Sequence, residues 1–163
     1  MISLAWIGIL VLLTMLFSKF LEQKRDTEEA VVNQVSVAGD RQVVLRSGAS
    51  GHYIAKGRIN GGTVRFLVDT GASHVTVPAA VAERLGLKRG GQIKANTANG
   101  VITVYATRLS TISLGEITLQ NVQASINPYM QGEEILLGMS FLGQLSINHE
   151  RGRMTITQRA SDF

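Results

Sequence analysis

The sequence predicts an all-β, barrel-like domain with one or two short helices, preceded by a transmembrane helix. Two observations support this fold class. From residue 53 onward, about nine or ten short runs rich in Val, Ile and Thr alternate with glycine-containing turns, a pattern typical of barrels of short strands. Before residue 22 the chain is instead almost uniformly apolar. A length of 163 residues allows one domain of ordinary size after such a helix.

The first segment, residues 3–21, is predicted to anchor the chain in a membrane. It carries no charge before Lys19, and its length is near the ~20 apolar residues that span a bilayer as a helix. Trp6 and Phe20 lie near its two ends, where aromatic side chains favour the membrane interfaces. A cleaved signal peptide is the alternative. We disfavour it because no basic region precedes the segment and no small-residue cleavage site follows it.

Residues 22–47 are predicted to be a linker between this anchor and a domain over residues 48–163. The linker begins with the charged sequence Glu-Gln-Lys-Arg-Asp-Thr-Glu-Glu, and its later apolar residues are too sparse to form a core of their own. Residues 43–45 are a candidate for the start of a strand, and the Gly-Ala-Ser-Gly sequence of residues 48–51 is typical of a flexible joint.

Three glycine-containing pairs predict the turns of three hairpins: Gly61-Gly62, Asn99-Gly100 and Gly115-Glu116. The strands that they join are predicted over residues 53–60, 63–69, 92–98, 101–107, 109–114 and 117–126. Further strands are predicted over residues 75–77, 135–137, 145–148 and 153–157. Pro78 begins a helix predicted over residues 79–85, which Gly86 ends, and a second short helix is predicted within residues 138–144.

The strand over residues 63–69 ends in a carboxylate, within the sequence Phe-Leu-Val-Asp-Thr-Gly-Ala-Ser. Burial of an aspartate costs free energy unless it is hydrogen-bonded or shares a proton, so Asp69 in this position indicates chemistry. A plain turn at the end of a strand is the alternative, because Asp and Gly both favour turns. The apolar sequence Ile-Leu-Leu-Gly of residues 135–138 adds a second motif to the first.

Residues 66–73 resemble the active-site motif of retropepsin-like aspartic proteases, and residues 135–138 are similar to the second conserved element of that family. The likeness extends over residues 52–158, and it is strongest to the bacterial group with one N-terminal membrane segment and one protease domain. The resemblance implies a retropepsin-like acid-protease barrel. It implies that Asp69 is catalytic, that a hairpin forms a flap over the substrate, and that further residues support the site. The expected flap residues are Ala98, Asn99, Gly100 and Val101, and the expected supporting residues are Thr70, Gly71, Ala72, Leu137 and Gly138.

The same resemblance implies a role for several of these residues. Thr70 would bond to a partner chain, Gly71 would let the substrate backbone approach, and Gly138 would let the strand before it pack beneath the aspartate turn. Two positions depart from the retroviral pattern: Ser73 stands where an acidic residue is common, and Met139 stands where an arginine often follows the glycine. Both residues of the ion pair that supports viral dimers are therefore missing together.

Peptide hydrolysis by carboxylates requires one base and one proton donor, and two adjacent carboxyls share a proton for this purpose. The chain has one Asp-Thr-Gly sequence and is too short for a second such lobe. An enzyme of this kind must therefore be a homodimer with its active site at the interface. The expected activity is that of an aspartic endopeptidase that cleaves extended polypeptides. Because Ala72 lacks the hydroxyl that pepsin-like enzymes have there, we expect a less acidic pH optimum than theirs.

Other chemistries find little support. The chain has no cysteine, and His52, His74 and His149 share no metal-ligand spacing, so neither a cofactor nor a metal is expected. Basic residues are scattered and aromatic residues make up 6%, which disfavours nucleic-acid binding despite the net charge of +4. The expected partners are a polypeptide substrate, a second copy of the chain and the inner membrane.

Two arguments about the membrane face disagree. Lys19, Lys24 and Arg25 follow the apolar segment and no basic residue precedes it, so the positive-inside rule alone places the domain in the cytoplasm. The resemblance to the bacterial group favours the periplasm, and that is our expectation.

Two other functions stay open: a peptide-binding module of the same fold without proteolytic activity, and a structural membrane-tethered β-domain in which Asp69 is a turn residue.

Overall fold

A computed structural model describes residues 13–14, 31–35, 39–48, 51–97 and 100–160. Nearly all of the predicted anchor, residues 3–21, lies outside these ranges. Within them, no helix is both long enough and apolar enough to cross a membrane. The prediction of an all-β architecture with short helices is confirmed for this part of the chain.

The chain from residue 31 onward forms strands joined by short turns, with two short helices in its described part. The strands are β1 (Val31–Val35), β2 (Arg41–Arg46), β3 (Ile54–Ile59), β4 (Gly62–Val68), β5 (Val75–Pro78), β6 (Gln92–Thr97), β7 (Gly100–Leu114), β8 (Ile117–Asn127), β9 (Glu134–Leu137), β10 (Ser146–Glu150) and β11 (Arg153–Gln158). The helices are α1 (Ala79–Arg84) and α2 (Met139–Leu142).

The larger sheet runs in the order β3-β4-β9-β5-β8-β7-β6, and β3 also pairs with β7. This extra pairing closes the sheet into a barrel and leaves β6 outside the closed part. Strand alternation directs one set of side chains into the barrel, where Phe66, Ile112, Ile126 and Ile135 are fully buried together with Phe141 of α2. These side chains form the core on which the site is built.

The smaller sheet runs in the order β1-β2-β11-β10, and all of its strands are antiparallel to their neighbours. Its strands β1 and β2 lie within residues 22–47, which the sequence predicted as a linker. Val43 pairs with Ile156 and Leu45 pairs with Met154, and these residues are buried in the same core as the barrel. Residues 41–46 therefore belong to the folded domain, because their apolar partners come from the far end of the chain.

Several element boundaries differ from the predictions. The runs predicted over residues 101–107 and 109–114 are one strand, β7, which is 15 residues long. Arg108 does not interrupt it, because its side chain is exposed and hydrogen-bonded to Asn121 on β8. The first helix ends at Arg84, one residue earlier than predicted, and Gly86 follows it with a φ of 64° that suits glycine. The second helix is confined to four residues, Met139–Leu142.

Candidate active site

The loop that carries Asp69 connects β4 to β5, and β9 pairs with both of these strands. Strand β9 lies between β4 and β5, so that Leu136 pairs with Leu67 before the loop and with Thr76 after it. The backbone N–H of Asp69 also donates a hydrogen bond of 3.2 Å to the carbonyl oxygen of Leu137. Both ends of the loop are therefore fixed to the same short strand. Residues 135–137 thus lie beneath the aspartate loop, where the family resemblance implied the second motif.

Helix α2 holds the middle of the loop. The backbone N–H groups of Met139 and Ser140 donate hydrogen bonds of 2.8 and 2.9 Å to the carbonyl oxygens of Ala72 and Ser73. The Ser140 hydroxyl accepts a further hydrogen bond of 2.9 Å from the backbone N–H of Val75. Two residues of the loop and the first residue of β5 are thus hydrogen-bonded to one turn of helix.

The close approach of this helix to the loop requires glycine at residue 138. A Cβ atom there would lie 2.3 Å from the carbonyl oxygen of His74 and 2.6 Å from that of Ala72. Both atoms belong to the backbone, so neither can move aside as the end of a flexible side chain would. Gly138 is buried directly beneath the loop, and Leu137 before it is fully buried.

Asp69 is half-buried at the end of β4, and one of its carboxylate oxygens is bound within the loop. That oxygen, Oδ1, accepts a hydrogen bond of 2.9 Å from the backbone N–H of Gly71. Thr70 and Gly71 are exposed at the rim of the site. Within the described residues, Oδ2 of Asp69 accepts no hydrogen bond, which leaves an oxygen available for a ligand or a second carboxyl group.

Asp69 faces a cleft of about 560 Å³. Its floor includes Gly71, Ala72 and Ser73, and its roof is the hairpin of β6 and β7. On this hairpin Ile93 pairs with Val104, and Ala95 pairs with Ile102, and all four line the cleft. Lys94, Asn96 and Thr97 of the hairpin also line the cleft, so its roof offers both the apolar contacts and the polar partners that an extended peptide needs.

The tip of this hairpin is only partly described. The Thr97 hydroxyl donates a hydrogen bond of 2.8 Å to the carbonyl oxygen of Gly100, which has a φ of 110°. Val101 follows and is 64% exposed. Ala98 and Asn99, which the sequence assigned to the flap, lie outside the described residues. Gly100 and Val101 are at the hairpin end but do not line the cleft.

The structure adds cleft residues that the sequence motifs do not identify. Ser125 on β8 is buried and lies 3.2 Å from the Thr76 hydroxyl, and both residues line the cleft. The two residues pair across β5 and β8, far apart in the sequence. His74 also lines the cleft, whereas His149 is hydrogen-bonded to Tyr53 at 2.6 Å on the smaller sheet. No group of three His, Cys, Asp or Glu side chains in the described part of the chain could hold a metal ion.

Comparison with known proteins identifies the family of the chain. Residues 55–144 match a family model described as "gag-polyprotein putative aspartyl protease", a range that includes both motifs. A curated relative from Sinorhizobium sp., described as "Uncharacterized protein in cobV 5'region", is 34% identical over 112 residues, which cover 67% of this chain and 48% of the relative. The chain thus spans about half the length of that relative.

A solved structure shows the same fold. The crystal structure of a retropepsin-like aspartic protease from Rickettsia conorii aligns with a TM-score of 0.62 and 21% identity. The alignment covers 78% of this chain and 95% of that protein. The retropepsin-like barrel predicted from the two motifs is therefore confirmed. On the family match and on this fold, the chain belongs to the family of retropepsin-like aspartic proteases.

Proposed function

We propose that the protein is an aspartic endopeptidase that hydrolyses peptide bonds in extended polypeptides, using the Asp69 carboxylates of two identical chains. The observation that carries this proposal is the position of Asp69 in a cleft whose roof is the hairpin of β6 and β7. Membership of an aspartic protease family supports a peptidase, and the cleft supplies a place for a peptide beside the carboxylate. No metal or organic cofactor has a role in this reaction.

A second copy of the chain supplies the other carboxylate. One chain contributes one Asp-Thr-Gly sequence, whereas hydrolysis by paired carboxylates needs a base and an acid. The exposed Thr70 supports an interface here, because its hydroxyl makes no hydrogen bond within the described residues and is free to meet its counterpart. Met139 on α2 is 40% exposed, and a partner packed against this end of the site would cover it. An interface of this kind is self-complementary about a two-fold axis.

The reaction follows from the pairing of the carboxyls. Two carboxyl groups about 3 Å apart cannot both ionise, so the pair holds one proton. The ionised carboxylate accepts a proton from water as the water oxygen attacks the peptide carbonyl carbon, while the protonated carboxyl donates a hydrogen bond to the carbonyl oxygen. The carboxyl that accepted the proton from water then donates it to the amide nitrogen, the C–N bond breaks, and the pair again holds one proton. The backbone bond from Gly71 to Asp69 keeps the carboxylate oriented through these steps.

The proposal also concerns where the enzyme acts. The apolar segment of residues 3–21 anchors the chain in the inner membrane, and the protease domain lies in the periplasm. The support for this is the uncharged stretch before Lys19 and the resemblance to membrane-anchored bacterial relatives. Anchoring in one membrane raises the local concentration of chains and so favours the dimer.

A comparison of the full-length protein with its Asp69→Asn variant tests the proposal. Both are incubated with a denatured protein substrate from about pH 4 to pH 7, a range chosen to include the working range of carboxyl catalysis, and the products are identified by mass spectrometry. We expect peptides from the wild type and none from the variant, with equal circular dichroism spectra. If the wild type binds peptides as a dimer and produces no cleavage, the protein is a peptide-binding module and the proposal is wrong.

A further inference from the structure

A second cavity adjoins the cleft above Asp69. Its volume is about 960 Å³, and it lies between the loop after α1 and the neighbouring strands β7 and β8. His74 and Ile93 line both this cavity and the cleft, so the two spaces meet at these residues. The second cavity is therefore the neighbouring space for a polypeptide that extends from the cleft past His74. We refer to this cavity as the distal pocket.

The charged side chains that line the distal pocket are all basic: Lys88, Arg89 and Arg108. Neutral polar residues, among them Thr107 and Gln123, complete its polar lining, and no carboxylate belongs to it. Positive charges along the lining of a pocket attract an anionic ligand, and the low dielectric constant of the protein on one side strengthens this attraction. The composition of this lining contrasts with the cleft itself, where Asp69 stands beside a single lysine, Lys94.

Two of the three cations are held in place by neutral partners. The Arg108 guanidinium donates hydrogen bonds of 3.0 and 3.1 Å to the backbone and side-chain oxygens of Asn121. The Arg89 guanidinium lies 5.3 Å from the centre of the Tyr105 ring, in a cation–π contact. Neither partner neutralises the positive charge. The ion pairs found among the described residues involve other arginines, so the charge of the distal pocket is not neutralised by a neighbouring carboxylate there.

The loop that carries Lys88 and Arg89 is bound to the barrel. The backbone N–H of Gly90 donates a hydrogen bond of 2.7 Å to the carbonyl oxygen of Ala106, and the N–H of Ala106 donates one of 2.9 Å to the carbonyl oxygen of Gly91. The Thr107 hydroxyl donates a further bond of 2.8 Å to the carbonyl oxygen of Lys88. The backbone that carries the basic side chains is therefore fixed, which lowers the entropic cost of binding a ligand to them.

We propose that the distal pocket is a substrate subsite that selects polypeptides with acidic residues on the flanks of the scissile bond. This inference rests on the proposed function, because it assigns the substrate of the same cleft. A peptide in extended conformation advances about 3.3 Å per residue, so a side chain a few residues from the scissile bond reaches past His74 to the basic side chains. In a two-fold dimer the pocket occurs at both ends of the cleft, so acidic residues are selected on both sides of the cut.

Peptide binding to the full-length Asp69→Asn variant tests this inference without cleavage. Two fluorescent dodecapeptide libraries share a randomised centre of Leu, Val, Ala and Phe, and carry either Glu or Gln at all flanking positions. We expect the Glu library to bind about tenfold more tightly at low salt, and the ratio to fall towards one as salt screens the charges. Equal affinities for the two libraries at low salt would overturn the inference.

Charge-matched variants show whether the distal pocket is the source of the preference for the Glu library. In the Asp69→Asn background, Lys88→Gln with Arg108→Gln is expected to reduce the ratio of the two affinities to about one, since it removes two of the three cations. Arg58→Gln with Arg153→Gln removes the same charge from exposed strand positions outside the pocket and is expected to keep the ratio. If both pairs reduce it equally, overall charge explains the preference and the subsite is wrong.

Cleavage of the same libraries by the wild type separates this inference from the proposed function. Cutting of both libraries at equal rates would leave the endopeptidase in place and contradict the acidic subsite. Preferential binding of the Glu library without any cutting would leave the subsite in place and contradict the endopeptidase. Faster cutting of the Glu library supports both.

Discussion

The Ser140 hydroxyl accepts a hydrogen bond from the backbone N–H of Val75, at 2.9 Å and across 65 positions of the sequence. It fixes the chain that leaves the aspartate loop to the helix beneath that loop. Val75 is fully buried, so its N–H has no access to water in place of the serine. The aspartate loop thus depends on a side chain that belongs to neither sequence motif.

Replacement of this serine by alanine is expected to destabilise the domain. The Ser140→Ala variant leaves a buried N–H without an acceptor, which costs about 1–3 kcal/mol in the free energy of unfolding. Urea denaturation measures the loss. Ser146→Ala is the control, because Ser146 is similarly half-buried and its side chain has no hydrogen bond within the described chain. Equal stability of the two variants would show that the Ser140 bond does not support the loop.

Gly138→Ala is expected to displace the aspartate loop. The added methyl group would meet two backbone oxygens at 2.3 and 2.6 Å, and such overpacking costs about 1–3 kcal/mol or more. Both stability and peptide cleavage should fall, because the loop that moves carries Asp69. Gly91→Ala is the matched control: no atom lies within 4 Å of its Cβ position, and its φ is not positive. Denaturation curves that coincide for the two variants would contradict the close approach described here.

The sequence predicted the parts of this fold that depend on local patterns. The hairpins around Gly61, Gly100 and Gly115 were predicted because a turn and its two strands are adjacent in the chain. The position of residues 135–138 beneath Asp69 came from resemblance to a known family. Nothing in the residues themselves indicates that β9 lies between β4 and β5.

The rest depends on contacts between distant parts of the chain. Residues 43–45 were a candidate for the start of a strand, but they were assigned to the linker because the strand that buries Val43 and Leu45, β11, begins at Arg153. Ser140 and Ser125 carry no local signal, since their partners lie on β5. The basic lining of the distal pocket, which the sequence presents as scattered surface charge, is likewise assembled from a loop and a strand.

The assignment of β2 to the domain predicts a difference between adjacent valines. Val43→Ala removes two methyl groups from a side chain with 0% exposure, and the lost burial together with the cavity costs about 1.5–3 kcal/mol. Val44→Ala makes the same change on the opposite, half-buried face of the strand, and is expected to cost less than half as much. Thermal denaturation distinguishes them. Equal and small losses would show that residues 41–46 behave as a linker after all.

Ala72→Ser is expected to shift the pH profile of cleavage. Ala72 belongs to the loop of Asp69 and lines the cleft, and a serine hydroxyl there is expected to donate a hydrogen bond to the carboxylate. Such a bond stabilises the ionised form, so the acidic limb of kcat/KM should move to lower pH. Measurements of kcat/KM on one peptide across the acidic range check the shift. An unchanged profile would contradict this role for residue 72.

Mixed dimers test whether one active site requires Asp69 from two chains. Wild type and Asp69→Asn are co-expressed in equal amounts with different tags, and cleavage is measured per total protein after random assembly. If both carboxylates are required, only dimers of two wild-type chains are active, and about one quarter of the wild-type rate remains. A residual rate of about one half would mean that each chain acts independently, and would contradict the shared site.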